Sequence, residues 1–281
     1  MRIASPLQWD KSRPPVCAGR FYPANPAELS AAVHGLIAAA KVAEEPAPKA
    51  IVAPHAGYVY SGPVAASAHS RFLPARDVIR RVILVGPSHH CSLCRIAASS
   101  VDAFFTPLGP VPLDREAIAQ VASLPQVMVL DEAHEPEHCL EVQLPFLQLI
   151  LPQFTLVPLL VGDASDEDIA EVLAALWGGP ETRVVVSSDL SHYHAYDHAN
   201  TLDQTTAEII EALRGEQLDG DRACGFRPIR GLLHLARRYQ LNACCIDLRN
   251  SGDTAGGRDR VVGYGAFIVV ESQAKQGRGP G

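Results

Sequence analysis

Histidine gathers behind three apolar segments of this chain. AIVAPHAGY places His55 just after one such run, RVILVGPSHH places His89 and His90 after another, and VVVSSDLSHYH places Asp189, His192 and His194 after a third. Imidazole is the commonest metal ligand and the usual general base near neutral pH. Three separate segments delivering it to one place therefore point to a metal or acid/base site. A fourth phrase, HEPEHCLEVQLPF, adds His134, Glu135, Glu137, His138 and Glu141. Its HEPEH has the HExxH spacing, but Pro136 inside it argues against a zincin helix. If a helix opens at Cys139, His138 stands at its cap and Glu141 in its first turn, where a carboxylate suits the helix dipole. The alternative is that His138 and Glu141, with His90, orient a metal ligand. His192 beside a metal could carry protons, with Asp189 orienting it or holding a backbone turn. His194 and His198 fall where the next helix starts and are expected to face water. The CSLC phrase, Cys91 to Cys94, has no second pair at zinc-ribbon spacing, so its thiols read as buried or incidental.

Such residues need strands to carry them. Apolar, β-branched runs at 50–53, 81–85, 154–161, 183–187, 243–248 and 261–270 read as strands. Helical periodicity occupies the stretches between, at about 62–72, 139–151, 166–177, 202–213 and 229–239. Asn25 caps an earlier helix, with Pro26 at its first position and Glu28 three residues after the cap. The alternation predicts an α/β fold: a mostly parallel central sheet with helices on both faces. In such sheets ligand sites lie beyond the carboxyl ends of the strands, where the histidines fall. Residues 96–113, broken by Thr106, Pro107, Gly109 and Pro110, suggest a hairpin excursion. No repeat or linker divides the chain, so residues 1–270 read as one domain, and the polar, Gly-rich 271–281 as a disordered tail.

With 281 residues and 47% hydrophobic composition the chain can bury a sizeable core without staples. A net charge of -7, with Lys and Arg scattered, gives no footprint for nucleic acid. The N-terminal MRIASPLQWDKSRPP lacks a secretory apolar stretch, and the most apolar segment is interrupted by Pro145, Pro152 and Pro158, so a cytoplasmic protein without membrane contact is expected. An odd seven cysteines fits reduced thiols better than a disulfide framework. Of the adjacent Cys244 and Cys245, in an expected strand, at least one should point into the core.

APHAGYVYSGPVAA, ILVGPSHH, EHCLEVQLPFL, VPLLVG, VVSSDLSHYH, ACGFRPI and GYGAF, in this order, with FYPANPAEL near the start, resemble the Memo family, also called AmmeMemoRadiSam system protein B. The resemblance implies a fold similar to class III extradiol dioxygenases, which open catechol rings with non-haem iron. It implies a metal pocket of His55, His89 and Cys224, the last chosen from the cysteines by its place in ACGFRPI, and it matches His192 to the dioxygenases' acid/base histidine. Two imidazoles and a thiolate suit copper or iron, with zinc less favoured. The thiolate departs from the two-histidine, one-carboxylate set of ring-cleaving enzymes and shifts the site towards softer metals. The expectation is a redox-capable metal protein acting on an unknown small molecule. The rival is an adaptor that binds AMMECR1-type and radical SAM proteins, and a weaker third is a zinc hydrolase.

Overall fold

The four strands at the centre of the sheet carry continuous apolar runs rather than alternation, as strands covered on both faces do. They belong to a computed structural model that describes residues 9–40 and 46–271. Its elements are β1 (Ser12–Arg13), α1 (Pro26–Ala39), β2 (Ala50–Ala53), α2 (Tyr58–His69), β3 (Arg81–Pro87), β4 (Ile96–Ala98), β5 (Ala103–Thr106) and β6 (Gly109–Pro112). There follow α3 (Arg115–Ala122), β7 (Val127–Val129), α4 (Asp131–His134), α5 (Leu144–Ile150), β8 (Thr155–Val161), α6 (Asp166–Leu176) and β9 (Thr182–Ser187). The chain continues with β10 (His192–His194), α7 (Tyr196–Glu211), α8 (Phe226–Tyr239), β11 (Leu241–Asn250) and β12 (Val261–Glu271).

The large sheet runs β10-β12-β2-β9-β3-β8-β4-β7, with β11 on β12. Its centre, β2-β9-β3-β8, is parallel, and buried Val82 to Val85 and Val184 to Val186 form the middle of the core. The parallel pairing expected of most of the sheet is found in this centre and between β4 and β7. β12 runs antiparallel to β2 and to β11, and β4 antiparallel to β8. The link between β11 and β12 carries one 3-10 turn, Ser251–Asp253, and no crossover helix, so the second strand returns alongside the first. Helices flank the sheet: α2 packs on β2, β11 and β12, and α8 on β3, β9 and β11.

The expected excursion is the β5–β6 hairpin, which forms a small sheet with β1. Two helices start earlier than their periodicity suggests. α2 begins at Tyr58 with Gly62 and Pro63 inside it, because the Phe21 carbonyl accepts the Tyr58 N–H (2.8 Å) and satisfies a donor of the first turn from outside the helix. α7 begins at Tyr196, placing His198 on it, while His194 stays on β10. The helix expected from Cys139 opens as a 3-10 turn, Glu141–Gln143, before α5. The tail expected from 271 onward lies outside the described residues apart from Glu271. No helix among the described residues is long and apolar enough to cross a membrane.

Candidate metal centre

Parallel register brings the candidates together. Ala53 is level with Ser187 and Val85 with Val186, so β2, β9 and β3 end side by side, and His55, Asp189 and His89 leave from three neighbouring strand ends. The 137–141 segment packs over the same ends. The result is a cluster in which one ligand atom each of His55, His89 and His138 lies within 4.8 Å of the others. The His55 ring meets those of His89 and His138 edge-on at 5.2 and 5.4 Å. Cys224 joins through His55, its Sγ 3.3 Å from His55 Nε2.

Hydrogen bonds determine which ring nitrogens face inward. Ser187 Oγ donates to the Cys139 carbonyl (2.7 Å) and accepts from Gln143 Nε2 (2.8 Å), so its remaining partner, His55 Nδ1 at 2.9 Å, is a donor to it. His55 Nε2, beside Cys224, therefore keeps its lone pair. Glu137 Oε1 receives Nδ1 of His89 (2.9 Å) and lies 3.2 Å from Nδ1 of His138. Those rings likewise leave Nε2 free. Carboxylate or hydroxyl on Nδ1 and a lone pair on Nε2 is how metal-ligating histidines are held.

Glu137 is the residue that sequence reasoning left unassigned. It is buried, and it also accepts the backbone N–H of His89 (2.7 Å) and of Cys139 (3.0 Å). Burial pushes its pKa up, but the hydrogen bonds from His138 and His89 and the charge of His89 outweigh this and hold it well below the ordinary carboxylate value. A permanent anion thus braces two imidazoles at once. Replacing Glu137 by Gln is expected to weaken metal binding about 10–100-fold, measured by competition with a chromogenic chelator. Unchanged affinity would remove Glu137 from the centre.

Asp189 acts on backbone rather than on His192. Its Oδ1 accepts the His55 N–H (2.7 Å) and its carbonyl accepts the Cys224 N–H (3.3 Å), so it ties the β2 and α8 ends of the site together. Burial raises its pKa against the pull of the His55 N–H. Close approach completes this corner: a Cβ on Gly225 would lie 2.6 Å from Ser188 Cβ, so glycine lets the Cys224 turn reach the end of β9. Burial and then the Asp189 charge push the Cys224 thiol up to about 12, whereas burial and the neighbouring His89 and His138 hold His55 well below its usual value. His55 therefore stands neutral, ready to ligate, and Cys224 needs a cation to lose its proton.

His192 is half-buried on β10, whose pairing to β12 shifts register between His192 and His194. Tyr193 between them has a φ of 61°, left-handed backbone that a tyrosine adopts only under constraint. The carboxylate of buried Asp203, also missed in the sequence, accepts the Ser191 N–H (3.0 Å) and anchors that loop. His90 is exposed, its ring 6.0 Å from that of His138. Glu141 stands in the first turn of the 3-10 helix, as one expectation placed it, but its carboxylate meets Arg13 (2.7 Å), the N–H groups of Val16 (2.9 Å) and Cys17 (2.8 Å), and the Tyr22 hydroxyl, so it pins the N-terminal segment instead of a histidine. The link to the centre is indirect, because that segment carries Phe21, whose ring is 4.8 Å from that of His138. Cys139 is buried and its Sγ donates to the Pro87 carbonyl (3.2 Å). Cys91 is half-buried, Cys94 and Cys244 are exposed, Cys245 packs partly against the core, and none is in a disulfide.

Comparison with known proteins assigns the chain to a family. The family model for "Memo-like protein" matches residues 13–268. A "MEMO1 family protein" of Aquifex aeolicus is 33% identical over 92% of this chain and 99% of its own length. One from Methanosarcina barkeri is 35% identical over 92% and 99%. "Protein MEMO1" of Xenopus laevis is 31% identical over 90% and 95%. A family match over residues 13–268, with relatives 31–35% identical over nearly their whole length, shows that the chain belongs to the Memo-like family.

Proposed function

We propose that this protein is a redox-active metal protein in which His55, His89 and Cys224 hold copper or iron, with His138 as a fourth donor, and that it acts on a small-molecule substrate. The observation that carries this reading is the set of three imidazoles, each with Nδ1 engaged and the lone pair left to Nε2, with one ligand atom of each within 4.8 Å of the others beside a thiol. Metal–nitrogen and metal–sulfur bonds of ~2.1 and ~2.3 Å at a tetrahedral angle set their donors about 3.6 Å apart. The 3.3 Å between His55 Nε2 and Cys224 Sγ is close to that spacing. Imidazole and thiolate together suit copper or iron, and a thiolate in place of a carboxylate separates the site from ring-cleaving dioxygenases. Bound copper or iron would supply electron transfer. His192, half-buried and close enough for its charge to lower His55, is the acid/base group for a bound substrate, and Asp189 keeps the His55 turn in place.

Metal content by mass spectrometry on untagged protein purified without oxygen tests this. About one copper or iron per chain is expected in the wild type, as a site closed by protein donors holds its metal through purification. Cys224→Ala and His138→Ala should each lose most of it. A metal-free wild type would sink the proposal and leave the adaptor for AMMECR1-type and radical SAM proteins as the better reading. Full retention by His138→Ala would return that residue to an orienting role.

A further inference from the structure

The centre opens into a cavity of about 490 Å3 whose lining includes His89 and Cys224 together with His90, Asp163, Phe226 and Arg227. That volume is ordinary for a small-molecule site. Arg227 is the single Arg or Lys in this lining and Asp163 its single carboxylate. The Arg227 guanidinium lies 5.1 Å from the centre of the Phe226 ring and 2.7 Å from Asp163. This is a loose pair: the side chains are 39% and 76% exposed, so their attraction is screened by water and weak. A planar guanidinium whose present partner is so weakly held is a receptor for another carboxylate.

We propose that the cavity takes a small organic acid, its carboxylate on Arg227 and its hydrocarbon body against Phe226, with Asp163 as the built-in rival for the guanidinium. The proposal rests on reading the histidine and cysteine cluster as the reactive centre. The Arg227 charge, alone of its sign among the Arg and Lys of the lining, favours an anion over a neutral or cationic ligand. The two charged residues must then have opposite effects: removing Arg227 weakens the acid, and removing Asp163 tightens it.

Benzoate and benzamide, alike in size but differing in charge, are the probes, titrated by ligand-observed NMR with metal content measured on the same samples. Benzoate should bind the wild type about fivefold more tightly than benzamide, the free-energy scale of an exposed ion pair. Arg227→Gln should bring benzoate down to the benzamide level, and Asp163→Asn should tighten benzoate about two- to fivefold while leaving benzamide unchanged. Equal binding of the two probes to wild type, a benzoate preference that survives Arg227→Gln, or weaker benzoate binding in Asp163→Asn would each overturn the proposal. Metal present without any benzoate preference defeats this inference alone. The expected benzoate pattern on metal-free protein upholds the anion site and defeats the metal reading instead.

Discussion

Metal affinity is expected to rise about tenfold for each unit of pH from about pH 7 to 9, a gain of ~2.7 kcal/mol across the range. The sign follows from proton bookkeeping at the centre. Burial, reinforced by the Asp189 charge, pushes the Cys224 thiol up to about 12, so this thiol is protonated throughout that range and a metal must displace its proton. His55 releases none, because burial among His89 and His138 keeps it neutral well below its ordinary value. One proton leaves per metal bound, and higher pH favours the bound state. Zinc is the appropriate probe, since it binds the same donors without oxidising the thiolate. Competition with a chelator of known pH dependence, at pH 7, 8 and 9, would give the slope. In Cys224→Ala the slope should fall close to zero along with much of the affinity, because imidazoles alone remain. A flat wild-type profile would exclude the thiolate as ligand and leave the histidine cluster as the whole donor set.

What could be read in the sequence depended on whether a residue's role is local. Runs such as Val82 to Val85 and Val184 to Val186 advertise covered strands by being apolar without alternation, and Gly86 and Pro87 mark the end of β3. His55, His89 and Asp189 follow directly from those strand ends, so their gathering was legible. The antiparallel return of β12 was not, because an apolar run carries no direction. Glu137 was hidden for a similar reason. It sits among other ionisable residues in HEPEHC, and only the packing of that segment over β3 shows that it, and not Glu141, meets His89. The one available signal was its adjacency to His138. The meaning of Glu141 depends on Arg13, a residue 128 positions away that no motif connects to it.

Replacing Glu141 by alanine is expected to destabilise the protein by about 3–5 kcal/mol, the range for breaking a buried ion pair by removing one partner. Arg13 is 3% exposed and Glu141 fully buried, so water cannot replace what the substitution removes. Arg13 would keep the carbonyls of His134 and Glu137 (both 2.6 Å), which lessens the loss, but the N–H groups of Val16 and Cys17 and the Tyr22 hydroxyl would have no carboxylate to meet. Each stranded donor costs about 1–3 kcal/mol. Thermal unfolding should therefore show a Tm lower by roughly 10 °C. The cycle of Arg13→Met, Glu141→Leu and the double variant should give a coupling above about 1.5 kcal/mol, because residues in one buried network do not act additively. A loss in Glu141→Ala below about 1 kcal/mol would mean that the pair is not a structural pin. A second readout separates the pin from the centre it supports. The segment that Glu141 holds also places Phe21 on His138 and the Phe21 carbonyl on the first turn of α2, so loosening it relaxes one wall of the cluster. At temperatures where Glu141→Ala is still folded, its metal affinity should fall by a smaller factor than that of Glu137→Gln. The two glutamates of HEPEHCLEVQLPF would then divide the work, one bracing the donors and the other the wall behind them.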